Sequence, residues 1–218
     1  MADLPSGFRI RRATSGDHAA LKLICLQTGD SGKDATLLQD DPDILGLVYA
    51  VPYQVFAPAF AFVLEDAEGP CGYVLGAPDT AAFETWMDNV WYPPLRARLR
   101  NPGPDESHWR ASDWVRWRVF APRSNPPVNL VQFPAHGHID LLPRAQGKGL
   151  GRAMIQTLID ALRVAGSPGL FLEVGADNER AQAFYAHLGF EQLERRPGSV
   201  IMAMRLDSDG RDADLSGH

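Results

Sequence analysis

The stretch that most limits what this chain can fold into runs over residues 136–190. His136 to Leu142 reads as a strand, and Pro143, which has no N–H to give, closes it. The glycine-rich segment Arg144 to Arg152 then leads directly into a helical pattern over Ala153 to Ala165. A second strand is expected at Leu170 to Val174, and after Asp177 and Asn178 comes a helix that ends at Leu188, Gly189 and Phe190. Strand, glycine-rich turn, helix and strand make a βαβ unit. Its turn sets bare backbone amides at a helix N-terminus, where unpaired N–H groups and a partial positive charge favour a phosphate.

Two phosphate motifs are excluded by position. A Walker A loop would need Gly where Leu142 stands and Ser or Thr where Gly149 stands. A dinucleotide fingerprint begun at Gly147 would need its third Gly at Arg152. What remains is Gln146-x-x-Gly149-x-Gly151. This resembles the acetyl-coenzyme A pyrophosphate loop of the GNAT N-acetyltransferases, where Gln or Arg is followed by x-x-Gly-x and then Gly or Ala. The second half is also similar to that family at matching spacing: Leu172, Glu173 and Val174, then Asn178, Ala181, Phe184 and Tyr185, then Leu188 to Phe190. Together the two halves cover about a quarter of the chain.

Composition sets the outer bounds. At 218 residues with 45% hydrophobic content, one domain with a sizeable core is expected. Its limits are residues 1–206, with an irregular insertion around 101–134 and a disordered tail at 207–218. A net charge of −6 and the lack of a basic stripe argue against a nucleic-acid partner. Cys25 and Cys71 sit in apolar contexts without metal-ligand spacing and read as reduced core thiols. His136 and His138 lack a convincing partner set, so no metal is expected. With neither an N-terminal basic–apolar signal nor an apolar run long enough for a membrane span, a cytoplasmic protein without a membrane partner is expected.

In chain order, Phe8 to Arg12 reads as a strand. Thr14 to Asp17 supplies caps for a helix carrying Ala20, Leu21, Ile24 and Cys25. The turn-rich loop Thr28 to Asp34 follows, then a helical segment from Asp40 that Pro52 interrupts. Ala59 to Leu64 and Cys71 to Gly76 form a hairpin. Thr80 to Leu99 reads as a helix that Pro93 and Pro94 break or kink. Residues 101–134 hold Trp109, Trp114 and Trp117 among several prolines, and no regular element is assigned there. These tryptophans either wall an acceptor cleft or cover the sheet.

The resemblance narrows further through Phe62 to Asp66, Cys71 to Gly76, Trp91 to Pro94 and Phe133 to Leu142. These segments are similar to the acetyltransferase-like domain of eukaryotic O-GlcNAcases and its stand-alone bacterial relatives. The eukaryotic member has a degenerate cofactor site, whereas this chain keeps an intact loop. The implied fold is α/β (α+β), a mixed and mostly antiparallel sheet flanked by helices, whose central strands near His138 and Leu172 splay apart. The implied function is acetyl-coenzyme A-dependent transfer to a primary amine on a small molecule or peptide. The other reading is a non-catalytic acetyl-coenzyme A-binding or interaction module. The resemblance leaves room for a homodimer.

The resemblance also implies roles. Gly147, Lys148, Gly149, Leu150, Gly151 and Arg152 would hold the pyrophosphate, with Gln146 opening the loop. Backbone groups of Ile139, Leu141 and Leu142 would run along the pantetheine and thioester, and Asn178 would bond the pantetheine arm beside Ala181 and Phe184. Tyr185 matches the family's general acid to the coenzyme thiolate; a phenol with a pKa near 10 is a suitable donor. For the base two readings stay open. His136, His138 and Asp140 share one strand face, and Glu173 resembles the glutamate base of some family members.

Overall fold

The computed structural model describes residues 4–121 and 128–206; the expected tail from Asp207 lies outside them. A single sheet of seven strands runs in the order β1-β2-β3-β4-β5-β7-β6. The strands are β1 (Arg9–Arg12), β2 (Ala61–Asp66), β3 (Gly69–Ala77), β4 (Ala135–Leu141), β5 (Gly169–Gly175), β6 (Glu191–Arg196) and β7 (Ser199–Arg205). All neighbours pair antiparallel except β4 and β5, which are parallel. The β2–β3 hairpin turns where the Asp66 carboxylate accepts the Glu68 amide at 2.9 Å, and Gly69 takes a φ of 106°. The hairpin β6–β7 lies beyond the last element that the sequence pattern assigned.

The parallel pair is short. Only Ala135 with Leu170 and His136 with Phe171 are in register. Beyond them β4 stays bonded to β3 as far as Leu141, and β5 stays bonded to β7 as far as Gly175. The two central strands therefore diverge after His136, as the resemblance implied.

Helix α7 (Leu150–Val164) buries Leu150, Met154, Ile155, Leu158, Ile159 and Leu162, a stripe at helical spacing, on one sheet face. Its approach is close. A Cβ on Gly137 would lie 2.9 Å from Leu158 Cδ2, and one on Gly76 2.5 Å from Leu158 Cδ1, so a side chain at either strand position would have to push the end of Leu158 aside. The opposite face carries α1 (His18–Thr28), α2 (Ile44–Tyr49) and α3 (Val51–Phe56). Pro52 stands in the first turn of α3, and the break falls at Ala50 (φ −129°, ψ −64°).

Two expectations are corrected. The helix over residues 80–99 is not broken at its prolines. It runs as α4 (Thr80–Trp86), a π-helical turn Met87–Trp91 and α5 (Tyr92–Arg96), with Pro93 and Pro94 in the first turn of α5. The widened turn admits two residues that cannot donate an N–H. The insertion around 101–134 is also not wholly irregular, since α6 (Asp113–Phe120) lies within it. Buried Asp113 anchors this helix: its Oδ2 accepts the Arg110 amide at 2.9 Å and also Arg100, and its Oδ1 accepts Arg116 Nη1 at 2.8 Å. The last helix is α8 (Glu179–His187).

Candidate active site

The glycine-rich turn closes on the end of β4. Gln146 Nε2 donates to the Leu141 carbonyl at 2.9 Å, which ties the loop to the strand it leaves. Gly147 and Gly149 take φ values of 73° and 75°, a region L side chains enter only with strain. Gly149 caps α7, so Leu150, Gly151 and Arg152 form its first turn, three residues earlier than the sequence pattern placed the helix start. The Ala153 amide donates to Gly149 O at 3.2 Å, which leaves the amides of Leu150, Gly151 and Arg152 without an intrahelical acceptor. Among the described residues, and leaving aside their own chain neighbours, no atom lies within 4 Å of where a Cβ on Gly147 or Gly149 would be. At Gly151 a Cβ would sit 3.2 Å from Phe184 Cζ, which binds the start of α7 to α8.

The two cations of the turn behave differently. Lys148 Nζ donates to Arg144 O at 2.8 Å and lies 4.8 Å over the Phe8 ring, so its charge is turned away from the helix start. Arg152 is exposed, and among the described residues no ion pair holds it.

Backbone groups facing the divergence follow from strand alternation. The Leu142 amide donates to Cys71 O at 2.9 Å and so points toward β3. Amides alternate sides along a strand, so those of Leu141 and Ile139 point the other way, into the gap left by β5. Leu142 itself is already engaged on both sides, because its carbonyl accepts the Ala145 amide at 2.9 Å.

The polar residues of β4 separate sharply. Thr80 Oγ1 donates to Pro134 O at 2.7 Å and therefore accepts from His136 Nδ1 at 2.8 Å, which makes His136 Nε2 the acceptor of the Tyr53 hydroxyl at 2.8 Å. His136 is neutral and fully used, and burial pushes its pKa down to about 4. It cannot serve as the base. His138 Nδ1 must donate to Tyr49 O at 2.7 Å, since a carbonyl only accepts, and its Nε2 lies 3.1 Å from Asp140 Oδ2. Burial alone would lower the His138 pKa, but the Asp140 charge and hydrogen bond outweigh it and raise it. Asp140 also accepts a short hydrogen bond from the buried Tyr73 hydroxyl.

Tyr185 on α8 is buried, with ring centroids 5.3 Å from Phe184 and 5.6 Å from Phe190. Burial first, and then the nearby Asp140 charge, raise its pKa above the ordinary phenol value assumed from sequence. The fold thus joins Asp140, His138 and Tyr73 in one hydrogen-bonded group, with Tyr185 near enough to Asp140 to feel its charge. Glu173 lies on the adjoining strand, exposed, two residues beyond Phe171, whose ring is 5.6 Å from His136. It therefore shares the sheet face of His138 and Asp140.

The Asn178 side chain caps α8 by accepting the Ala181 amide at 3.1 Å, and its Nδ2 reaches Ser31 O at 3.5 Å. The loop Thr28 to Asp34 thereby spans the mouth of the divergence. It borders a cleft of about 360 Å³ lined by Gln27, Gly32, Lys33, Asp34 and Leu142 to Arg144. Above His138, the Tyr49 ring stands edge-on at 6.2 Å and stacks on Trp114 of α6 at 6.3 Å. Sequence reasoning missed Tyr49 and Tyr73. Tyr73 faces Asp140 through the β3–β4 register, which no local pattern encodes.

Comparison with known proteins agrees with this geometry. Residues 122–190 match the Acetyltransferase (GNAT) family. The chain is 30% identical to the protein in the crystal structure of SsHAT, with a TM-score of 0.77, covering 93% of this chain and 100% of that one. It is 28% identical over 201 residues to protein O-GlcNAcase of Rattus norvegicus, covering 91% of this chain and 22% of that protein. The chain thus spans under a quarter of the length of that relative. YncA of Salmonella typhimurium, solved with its cofactor acetyl-coenzyme A, shares the fold at 18% identity and a TM-score of 0.52, covering 96% of this chain and 99% of that one. The chain belongs to the GNAT acetyltransferase family.

Proposed function

We propose that the protein transfers an acetyl group from acetyl-coenzyme A to a primary amine by direct attack. The observation that carries this reading is the divergence of β4 and β5 beyond His136, lined by inward amides and ending on a helix start that no side chain caps. The site fits the cosubstrate. The open space at Gly147 and Gly149 and the free amides of Leu150 to Arg152 suit a pyrophosphate, and the amides of Ile139 and Leu141 suit an amide-rich arm. Acetyl-coenzyme A, when bound, supplies the activated acetyl thioester.

The chain's own residues divide the remaining work. The Ile139 or Leu141 N–H stabilises negative charge on a carbonyl oxygen held in the gap. Tyr185 stays protonated across the working pH range and holds the proton that a leaving thiolate needs. The paired His138 and Asp140, with Glu173 on the same face, provide the group that accepts the ammonium proton. In the resting protein His138 satisfies both of its acceptors best as an imidazolium, which has no lone pair to take a proton, so Asp140 and Glu173 are the two separable bases.

The test is turnover with amines by Asp140→Asn and Glu173→Gln, each measured beside acetyl-coenzyme A binding. Loss of turnover in one variant with binding retained assigns the base. Full turnover in both, with binding intact, would contradict the assignment. Tight binding by the wild type without turnover on any amine would place the chain among non-catalytic binding modules.

A further inference from the structure

The inserted helix α6 presents two side chains that the acetyl-transfer chemistry does not use. Trp114 and Arg118 are four residues apart and so share one helix face. Trp114 is 41% exposed and stacks on Tyr49, whose backbone carbonyl holds His138 Nδ1 and whose ring faces the His138 ring. Arg118 is exposed, lies beside Tyr49, and is close enough to Glu173 to feel its charge. Among the described residues no carboxylate comes within ion-pair distance of Arg118. The other arginine on α6 is consumed structurally, since Arg116 bridges Asp40 at 3.0 Å and Asp113 at 2.8 Å.

Arg118 is therefore a guanidinium held on a rigidly anchored helix above the acid–base group, beside an open aromatic face, with an anion-binding fork left free. Across from it stands the exposed carboxylate of Glu173. A ligand that satisfies both walls carries a positive and a negative group. We infer that Arg118 is the specificity-determining residue for the acceptor, and that the acceptor is a primary amine bearing a carboxylate, with its ammonium toward Glu173 and its carboxylate on Arg118. This rests on the acetyltransferase reading above and names the substrate class for it. Arginine suits the task because its planar fork matches a carboxylate with two parallel hydrogen bonds.

The experiment compares matched acceptors, each an amino acid and its amide, in coenzyme A thiol-release assays with wild type, Arg118→Met and Arg118→Lys. The wild type should favour the carboxylate member by at least about tenfold in kcat/KM, the value of one charge-assisted hydrogen bond. The ratio should fall toward one in Arg118→Met and be partly kept in Arg118→Lys. Equal use of acid and amide by the wild type, or an unchanged ratio in Arg118→Met, would overturn the inference. If no amine turns over, the acetyltransferase reading fails first. Calorimetric titration of the amino acids into coenzyme A-saturated protein then still decides the subsite, since binding lost in Arg118→Met supports it and no binding by the wild type refutes it.

Discussion

Gly149 offers a perturbation whose structural and functional costs separate. Its φ of 75° charges any L residue about 1–2 kcal/mol, yet a Cβ there meets nothing within 4 Å. Gly149→Ala and Gly149→Trp should therefore fold, with Tm lowered by roughly 2–8 °C for a chain of this size. The same open space is where the phosphates would sit. An indole there displaces them from the amides of Leu150, Gly151 and Arg152. Each hydrogen bond from such an amide to a charged oxygen is worth about 1.5–3 kcal/mol, so losing two weakens Kd by roughly 10² to 10⁴. Calorimetric titration of acetyl-coenzyme A, coenzyme A and dephospho-coenzyme A, beside thermal melts, reads both effects. Gly149→Ala should bind within about tenfold of wild type, and Gly149→Trp should bind none of the three measurably. A well-folded Gly149→Trp that binds like wild type would refute the turn as the anion site.

Other consequences follow from the same geometry. Tyr185→Phe keeps the rings that pack on Phe184 and Phe190, so acetyl-coenzyme A affinity should hold while kcat falls by about 10² or more in steady-state assays. Nitrogen-detected NMR titration should find His136 neutral down to about pH 4 and His138 protonated above the ordinary histidine value. By sign, His138 stabilises the fold at low pH and loses that contribution as pH rises through its raised pKa, whereas the contribution of His136 is lost as pH falls from 6.5 toward about 4. Asp17 is held down to about 2 by its hydrogen bond with Arg11, against burial. Its stabilisation of roughly 2 kcal/mol is full above pH 3.8 and disappears as pH falls toward 2. Asp17→Asn should lower urea stability by about that amount at pH 7 and flatten its acid limb.

Local chemistry made much of the fold legible. The proline after Leu142, the glycines at 147, 149 and 151 and the apolar stripe of α7 all encode conformation within a few residues, so the βαβ unit and its turn could be read directly. The β2–β3 hairpin was legible for the same reason, through its Asp66–Gly69 turn. What was hidden depends on partners distant in sequence. Tyr73 reaches Asp140 only through strand register, and Tyr49 reaches His138 only where α2 ends over the sheet. The three residues His136, His138 and Asp140 look equivalent along the strand, yet Thr80 and Tyr53 consume one histidine while Tyr49 and Asp140 orient the other. Helix α6 escaped notice because its buried apolar stripe is only Val115 and Val119, set among charged and aromatic residues, and its start is fixed by the buried Asp113 and its arginines.

The central claim is acetyl transfer at the divergence of β4 and β5. The most direct measurement incubates the protein with acetyl-coenzyme A and a panel of primary amines, quantifying released thiol together with acetylated amine by mass spectrometry. The account predicts product and thiol in equal amounts for at least one amine, with both lost in Tyr185→Phe. Thiol release no faster than hydrolysis with every amine, despite saturating cosubstrate, would contradict it.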